Sequence, residues 1–245
     1  MLIESFENEK IKYFVRLRNT KYIKEYNEFI VEGEHLVEEA IKCGLASEVI
    51  ILNGYDYDTS LPKIFITNKI LKKISLLESP QYIMALCKIN KSDKLLGNKI
   101  LILDNIQDPG NLGTIIRTCV AFNIDTICLS ENTVSPYNDK VVRSSQGMIF
   151  KINIVEKDLK IFIEELKNNN IKVYGTDLKG STLLKEIETP TSFALVLGNE
   201  GKGVRKEILD LCDEKILIEM NSKCESLNVG ISAGIILYKW SEKWN

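Results

Sequence analysis

The chain has 245 residues, with 32 Lys and Arg against 34 Asp and Glu, for a formal net charge of −2. Apolar residues make up 44% and charged residues 27%, a globular composition that excludes collagen-like, coiled-coil and disordered classes. The length allows one large domain or two modest ones, and no stretch approaches the ~20 apolar residues of a membrane span.

Met1 to Lys10 is acidic and lacks the apolar run of a secretory signal, so a cytoplasmic location is expected. Residues 10 to 24 carry six basic residues and no acidic one, with Tyr13, Phe14 and Tyr22 interleaved. The spacing of Ile11, Phe14, Val15 and Leu17 predicts a helix there. A strand (Glu28 to Val31), a helix (Glu34 to Cys43) and a strand (Glu48 to Leu52) follow. A further strand (Lys63 to Thr67), a helix (Lys69 to Leu76) and a strand (Tyr82 to Ile89) complete a small α/β unit, 1–92. The polar residues 90 to 98 read as a linker.

The second unit, 98–245, opens with a strand at Ile100 to Leu103. A helix (Leu112 to Phe122) and strands at Thr126 to Leu129 and Phe150 to Val155 come next. Then come a helix (Leu159 to Asn168) and strands at Lys172 to Thr176, Phe193 to Leu197 and Lys215 to Ile218. Helices are expected at Val204 to Leu211 and Leu227 to Trp244. Short apolar strands alternating with helices indicate a buried parallel sheet.

Six cysteines without a C-x-x-C pair read as buried or free thiols of a reducing compartment, not as a disulfide frame or zinc site. The single histidine, His35, excludes a His-rich metal centre, and no metal is expected. Arginine is scarce: Arg16, Arg18, Arg117, Arg143 and Arg205 stand among many lysines.

Three clusters could carry chemistry. Asp104 to Gly113 is a Gly/Pro loop between a strand and the helix bearing Arg117, the place where ligands bind in open α/β sheets. The ordinary alternative is a βα turn with Asn111 as helix cap. Arg117 sits in an otherwise uncharged helix, where a guanidinium needs an anionic or carbonyl partner. The second cluster, Gly198-Asn199-Glu200-Gly201-Lys202-Gly203, suits close backbone approach to a ligand. It is two residues too short for a phosphate loop and lacks the Ser/Thr, which excludes that NTPase motif. The third is Ile218-Glu219-Met220, then Glu225-Ser226-Leu227-Asn228-Val229, with Ser226 or Asn228 as the candidate cap of the last helix.

Together these motifs resemble the SpoU/TrmH-type RNA ribose 2′-O-methyltransferases of the SPOUT superfamily. Asn105, Asp108, Pro109, Asn111, Gly113 and Arg117 match the family's first motif, Leu197 to Gly203 the second, and Ile218 to Val229 the third. Lys140 to Gly147 is similar to a recurring family segment. Glu219 stands where proline is common and Ser222 where glycine is usual. The stretch Phe29 to Gly33 is similar to the small substrate-binding module of many members.

The resemblance implies an α/β domain with a C-terminal trefoil knot, an exception to unknotted topology, and a homodimer. It implies S-adenosylmethionine as cofactor, held by Gly198, Ile218 and Leu227, with Thr176, Glu200 and Met220 as neighbours. Arg117 would be the central catalytic residue. A guanidinium stays protonated, so binding a phosphate and stabilising a developing alkoxide suits it better than base catalysis. Asn111 would orient Arg117 or the ribose, and Glu200, Ser226 and Asn228 would complete the site. Lys12, Arg16, Arg18 and Lys21 of the basic segment, and Arg143, are the candidate RNA contacts. The alternative for the segment is a solvated helix with its aromatics in the core.

The two-domain layout is more similar to ribosomal-RNA members than to shorter tRNA members. A non-catalytic RNA-binding assembly factor would be expected to lack part of the polar set. A dinucleotide oxidoreductase lacks its G-x-G-x-x-G after the strand at 100 to 103.

Overall fold

In the computed structural model the described residues are 2–90, 94–179 and 181–242. Part of the expected linker, the end of the last expected helix and Met1 lie outside them. The chain divides into two compact units, 1–90 with 137–151, and 91–136 with 152–245.

The first unit contains β1 (Leu2–Ile3), α1 (Glu9–Arg16), α2 (Thr20–Tyr26), β2 (Glu28–Glu32), α3 (Glu34–Lys42), β3 (Ala46–Leu52), β4 (Lys63–Ile66), α4 (Asn68–Ile74) and β5 (Ile83–Lys88). Its sheet has the order β1-β4-β3-β5-β2. The pairs β1/β4 and β3/β4 are parallel, and β5 is antiparallel to both β3 and β2.

The expected basic helix is two helices. Asn19 ends the run: its side chain accepts from the amide of Lys21 and caps α2. Phe14 faces the core, and the Tyr13 hydroxyl donates to Glu28.

The second unit contains β6 (Lys99–Asp104), α5 (Pro109–Ala121) and β7 (Thr126–Leu129). The chain then returns to the first unit through α6 (Asp139–Ser144) and a 3-10 turn, Met148–Lys151. The sequence reading kept 98–245 together. The structure groups 137–151 with the first unit because Tyr137 and Phe150 pack on Phe29, at ring distances of 5.1 and 6.2 Å, and Lys151 pairs with Glu39. The strand expected from Phe150 to Val155 is correspondingly shortened.

Back in the second unit come β8 (Asn153–Glu156), α7 (Leu159–Asn168), β9 (Val173–Thr176), β10 (Thr182–Leu183), β11 (Phe193–Gly198), α8 (Lys206–Leu209), β12 (Glu214–Leu217) and α9 (Val229–Ser241). The sheet is parallel throughout, in the order β10-β12-β9-β11-β6-β7-β8. Its central strands are apolar on both faces: all six residues of β11 are buried. Phe162, Ile163 and Leu166 of α7 close one core against Ile100, Ile102 and Val196. Trp240 of α9 is buried against Phe193 and Tyr174.

α8 is four residues long, shorter than the helix expected from Val204 to Leu211, and β10 had no counterpart in the sequence reading. The six cysteines are free, and three of them, Cys87, Cys119 and Cys128, are buried. Burial pushes the Cys128 thiol up to about 12. Among the described residues no helix is long and apolar enough to cross a membrane.

Candidate functional site

β6 and β11 pair in register, Leu103 beside Leu197 and Asp104 beside Gly198. Strand order reverses there, with β7 and β8 on one side and β9 and β12 on the other. The loops leaving the carboxyl ends of these two strands therefore flank a crevice, where an open parallel sheet binds its ligand.

The first loop turns at Asn105, which is left-handed at φ 60 and donates its amide to Ser130 Oγ at 2.9 Å. Asp108 caps α5 by accepting the Asn111 amide at 2.8 Å, and Pro109 takes the first helical position. The helix thus starts three residues before the expected Leu112, and Asn111 is not its cap. The Asn111 side chain is left to reach across the site.

The second loop closes on itself. The backbones of Asn199 and Gly203 exchange hydrogen bonds of 3.0 and 2.9 Å. Asn199 Oδ1 accepts from Gly201 and Lys202, while its Nδ2 donates to the Asn105 carbonyl at 2.9 Å and ties this loop to the first. Arg205 donates its amide and Nε to the fully buried Asp104 carboxylate, at 2.9 and 2.8 Å. Asn228 in the third motif caps α9, accepting from Gly230 at 2.9 Å and Ile231 at 3.3 Å.

One polar chain joins all three motifs. Asn228 Nδ2 donates to Asn111 Oδ1 at 2.9 Å, and Asn111 Nδ2 donates to Glu200 Oε1 at 3.0 Å. Glu200 also accepts from the amides of Asp108 and Gln107, at 3.3 and 3.4 Å, and from Asn199 Nδ2. Burial alone would raise its pKa. The donors outweigh burial and hold the carboxyl below its ordinary value, hence ionised at neutral pH.

Arg117 lies on the third turn of α5, exposed, and no oxygen of the described residues pairs with its guanidinium. Ser226 is exposed, its hydroxyl without a partner among the described residues, and its carbonyl accepts from Cys224 Sγ.

A cavity of about 470 Å³ opens beside this chain. Thr176, Gly198, Glu200, Ile218, Met220, Leu227 and Ser226 all line it. Asn111, Arg117 and Asn228 lie outside the lining. Lys179 and Lys202 line it too; Lys202 stands in the second motif, whereas Lys179 belongs to none. Asp104, Asn199 and the backbone of Gln107 were also missed as supports. An acidic residue ending an apolar strand was the available signal for Asp104.

A family model described as the SpoU rRNA Methylase family matches residues 98–238. The chain belongs to the SpoU rRNA methylase family. A second model, an MRM3-like substrate binding domain, matches residues 8–85. The chain is 37% identical over 241 residues to the 23S rRNA (guanosine(2553)-2′-O)-methyltransferase RlmP of Bacillus subtilis, covering 96% of this chain and 97% of that one. An AdoMet-bound rRNA methyltransferase from Sinorhizobium meliloti superposes with a TM-score of 0.87 at 26% identity, over 99% of this chain and 97% of that one. The TrmH/SpoU tRNA modifying enzyme of A. aeolicus covers 60% of this chain and 76% of its own, with a TM-score of 0.54 at 27% identity. The expected family, two-domain α/β architecture and activity class, an RNA 2′-O-methyltransferase, are borne out.

In the first unit of this SpoU methylase the candidate RNA contacts have different surroundings. Lys12 is ion-paired with Glu7 and Glu9, at 3.0 and 3.1 Å. Lys21 lies over the Tyr22 ring, 5.8 Å from its centroid. Arg143 is held by Asp139 on its own helix at 2.8 Å. Arg16 and Arg18 are exposed, and Arg18 Nη1 donates to the Lys73 carbonyl at 3.0 Å. Tyr13, Tyr22 and Tyr26 pack on one another. His35 is exposed.

Proposed function

We propose that this chain transfers a methyl group from S-adenosylmethionine to the 2′-hydroxyl of a guanosine ribose in 23S ribosomal RNA, as a cytoplasmic homodimer whose N-terminal domain, read over 1–92 in the sequence, binds the RNA. The observation that carries this reading is the Glu200–Asn111–Asn228 chain, which gathers three motifs beside one cavity. Likeness to RlmP along nearly all of both chains supports ribosomal RNA over tRNA. The knot implied by the resemblance, in the domain read over 98–245, belongs to the same proposal.

The residues present fit the cofactor. The cavity is of ligand size, and Ile216, Ile218 and Leu227 provide apolar wall for a heteroaromatic ring. At Gly198, which lines the cavity, the backbone of Gly203 and Val204 comes so close that a side chain is excluded. Thr176, Gly198, Glu200, Ile218, Met220 and Leu227 would hold it. When bound, the cofactor supplies an electrophilic methyl on a sulfonium.

Transfer to oxygen requires the acceptor in line, so positioning supplies much of the rate. Arg117, permanently protonated, would grip the phosphate beside the target ribose and stabilise charge developing on the 2′-oxygen. Asn111, pinned from both ends, would orient the ribose. The free Ser226 hydroxyl can add a hydrogen bond to the substrate. Glu200, held ionised by four donors, is a weak base, and its work is to fix Asn111.

α9 exposes Ile231, Ile235 and Tyr238 at helical spacing, a stripe that a second copy would cover. Ribose-methylation mapping of total RNA with and without the gene tests the function. Loss of methylation at one 23S guanosine is expected. Loss only in tRNA would favour the tRNA reading, and no change would overturn both.

A further inference from the structure

We infer that the RNA backbone crosses the first unit on one cationic surface assembled from two separate stretches of chain: Arg16 and Arg18 at the end of α1, and Lys69, Lys72 and Lys73 on α4. The inference rests on the RNA-methyltransferase reading above and names the face of the first unit that meets the substrate.

α1 packs against α4, and Arg18 joins them through its bond to the Lys73 carbonyl. Ile70, Leu71 and Ile74 turn the apolar face of α4 inward. Lys69, Lys72 and Lys73 are its exposed charged residues, and the helix carries no acid. None of these lysines, nor Arg16, has an acidic partner among the described residues. Two other cations of the basic segment differ: Lys10 is paired with Glu48, and Lys12 with Glu7 and Glu9. Four cations without an acidic partner among the described residues, with Arg18 bound to a backbone carbonyl between them, suit a polyanion, because each one that neutralises a phosphate releases a condensed counterion. The surface therefore includes α4, which the basic segment at 10 to 24 does not reveal.

The test uses the full chain and an unmodified 23S rRNA transcript, with affinity measured across a salt series. S-adenosylmethionine binding and thermal unfolding are followed on the same samples. Lys72→Glu/Lys73→Glu should weaken RNA binding roughly tenfold or more and lower the salt slope by about 1 per lost contact. Cofactor affinity should be unchanged. Lys72→Ala/Lys73→Ala should move the same way by less, and it carries the test should the reversal fail to fold. Lys10→Ala, at a cation already paired with Glu48, should leave the slope in place. If the wild type binds the transcript and both α4 variants keep its affinity and slope, the inference is overturned and the methyltransferase reading stands. An equal loss in the Lys10 variant would overturn it as a general charge effect. A wild type that neither binds nor methylates the transcript would overturn both.

Discussion

At Gly198 an added Cβ would lie 2.1 Å from the carbonyl carbon of Gly203 and from the amide nitrogen of Val204. Those are atoms of the turn that rims the cavity, and backbone cannot swing aside as a flexible side chain can. Gly198→Ala should therefore displace the turn and abolish S-adenosylmethionine binding, read by calorimetry. Retained affinity would show that the cavity tolerates a reshaped turn. Asp104 and Arg205 make an asymmetric pair, since the carboxylate is fully buried and the arginine side chain is 39% exposed. Arg205→Ala leaves a buried charge without its side-chain partner and should cost about 3–5 kcal/mol. Asp104→Asn removes that charge along with the pair and should cost less, about 1.5–3 kcal/mol. Denaturant midpoints of the two variants check the order, and the reverse order would contradict it.

Among the elements, the ones that read cleanly in the sequence were those whose residues carry their own reason. β7 lies where an apolar four-residue run predicts it, Thr126–Leu129. α5 shows the limit of local reading. Asn111 and Asp108 are both good caps, and only the fold decides that Asp108 caps while Asn111 turns to Glu200. Phe150 reads in the sequence as the first residue of a strand running to Val155. It coils instead, after Gly147 at φ +77, because Phe150 packs on Phe29 far away in sequence. β10 is two residues long, too short to leave a periodic signature. In the site, the residue types were legible from the motifs, and the bonds between them were not. Asn111 meets a residue 89 positions away and another 117 positions away. No spacing rule reaches that far. The scarcity of arginine drew attention to Arg117, and its lack of a partner within the described residues emerges only from the structure.

At the scale of the molecule, a net charge of −2 is compatible with an RNA partner because charge is distributed unevenly. Ile231 and Tyr238 of α9 are 55% and 62% exposed, more than large apolar side chains would be if a neighbour covered them. Ile235→Glu should convert the proposed dimer to monomer, read by light scattering on a sizing column. An unchanged mass, or a wild type that is already monomeric, would remove the stripe from the interface. In the proposed mechanism Arg117 serves the transfer to RNA and not the cofactor site. Its most direct test incubates wild-type protein and Arg117→Ala with methyl-labelled S-adenosylmethionine and unmodified 23S rRNA transcript, with cofactor affinity measured alongside. The wild type should label a single guanosine 2′-oxygen, while Arg117→Ala should bind the cofactor as tightly and transfer no label. Turnover retained by the variant, or no label in RNA from the wild type, would contradict it.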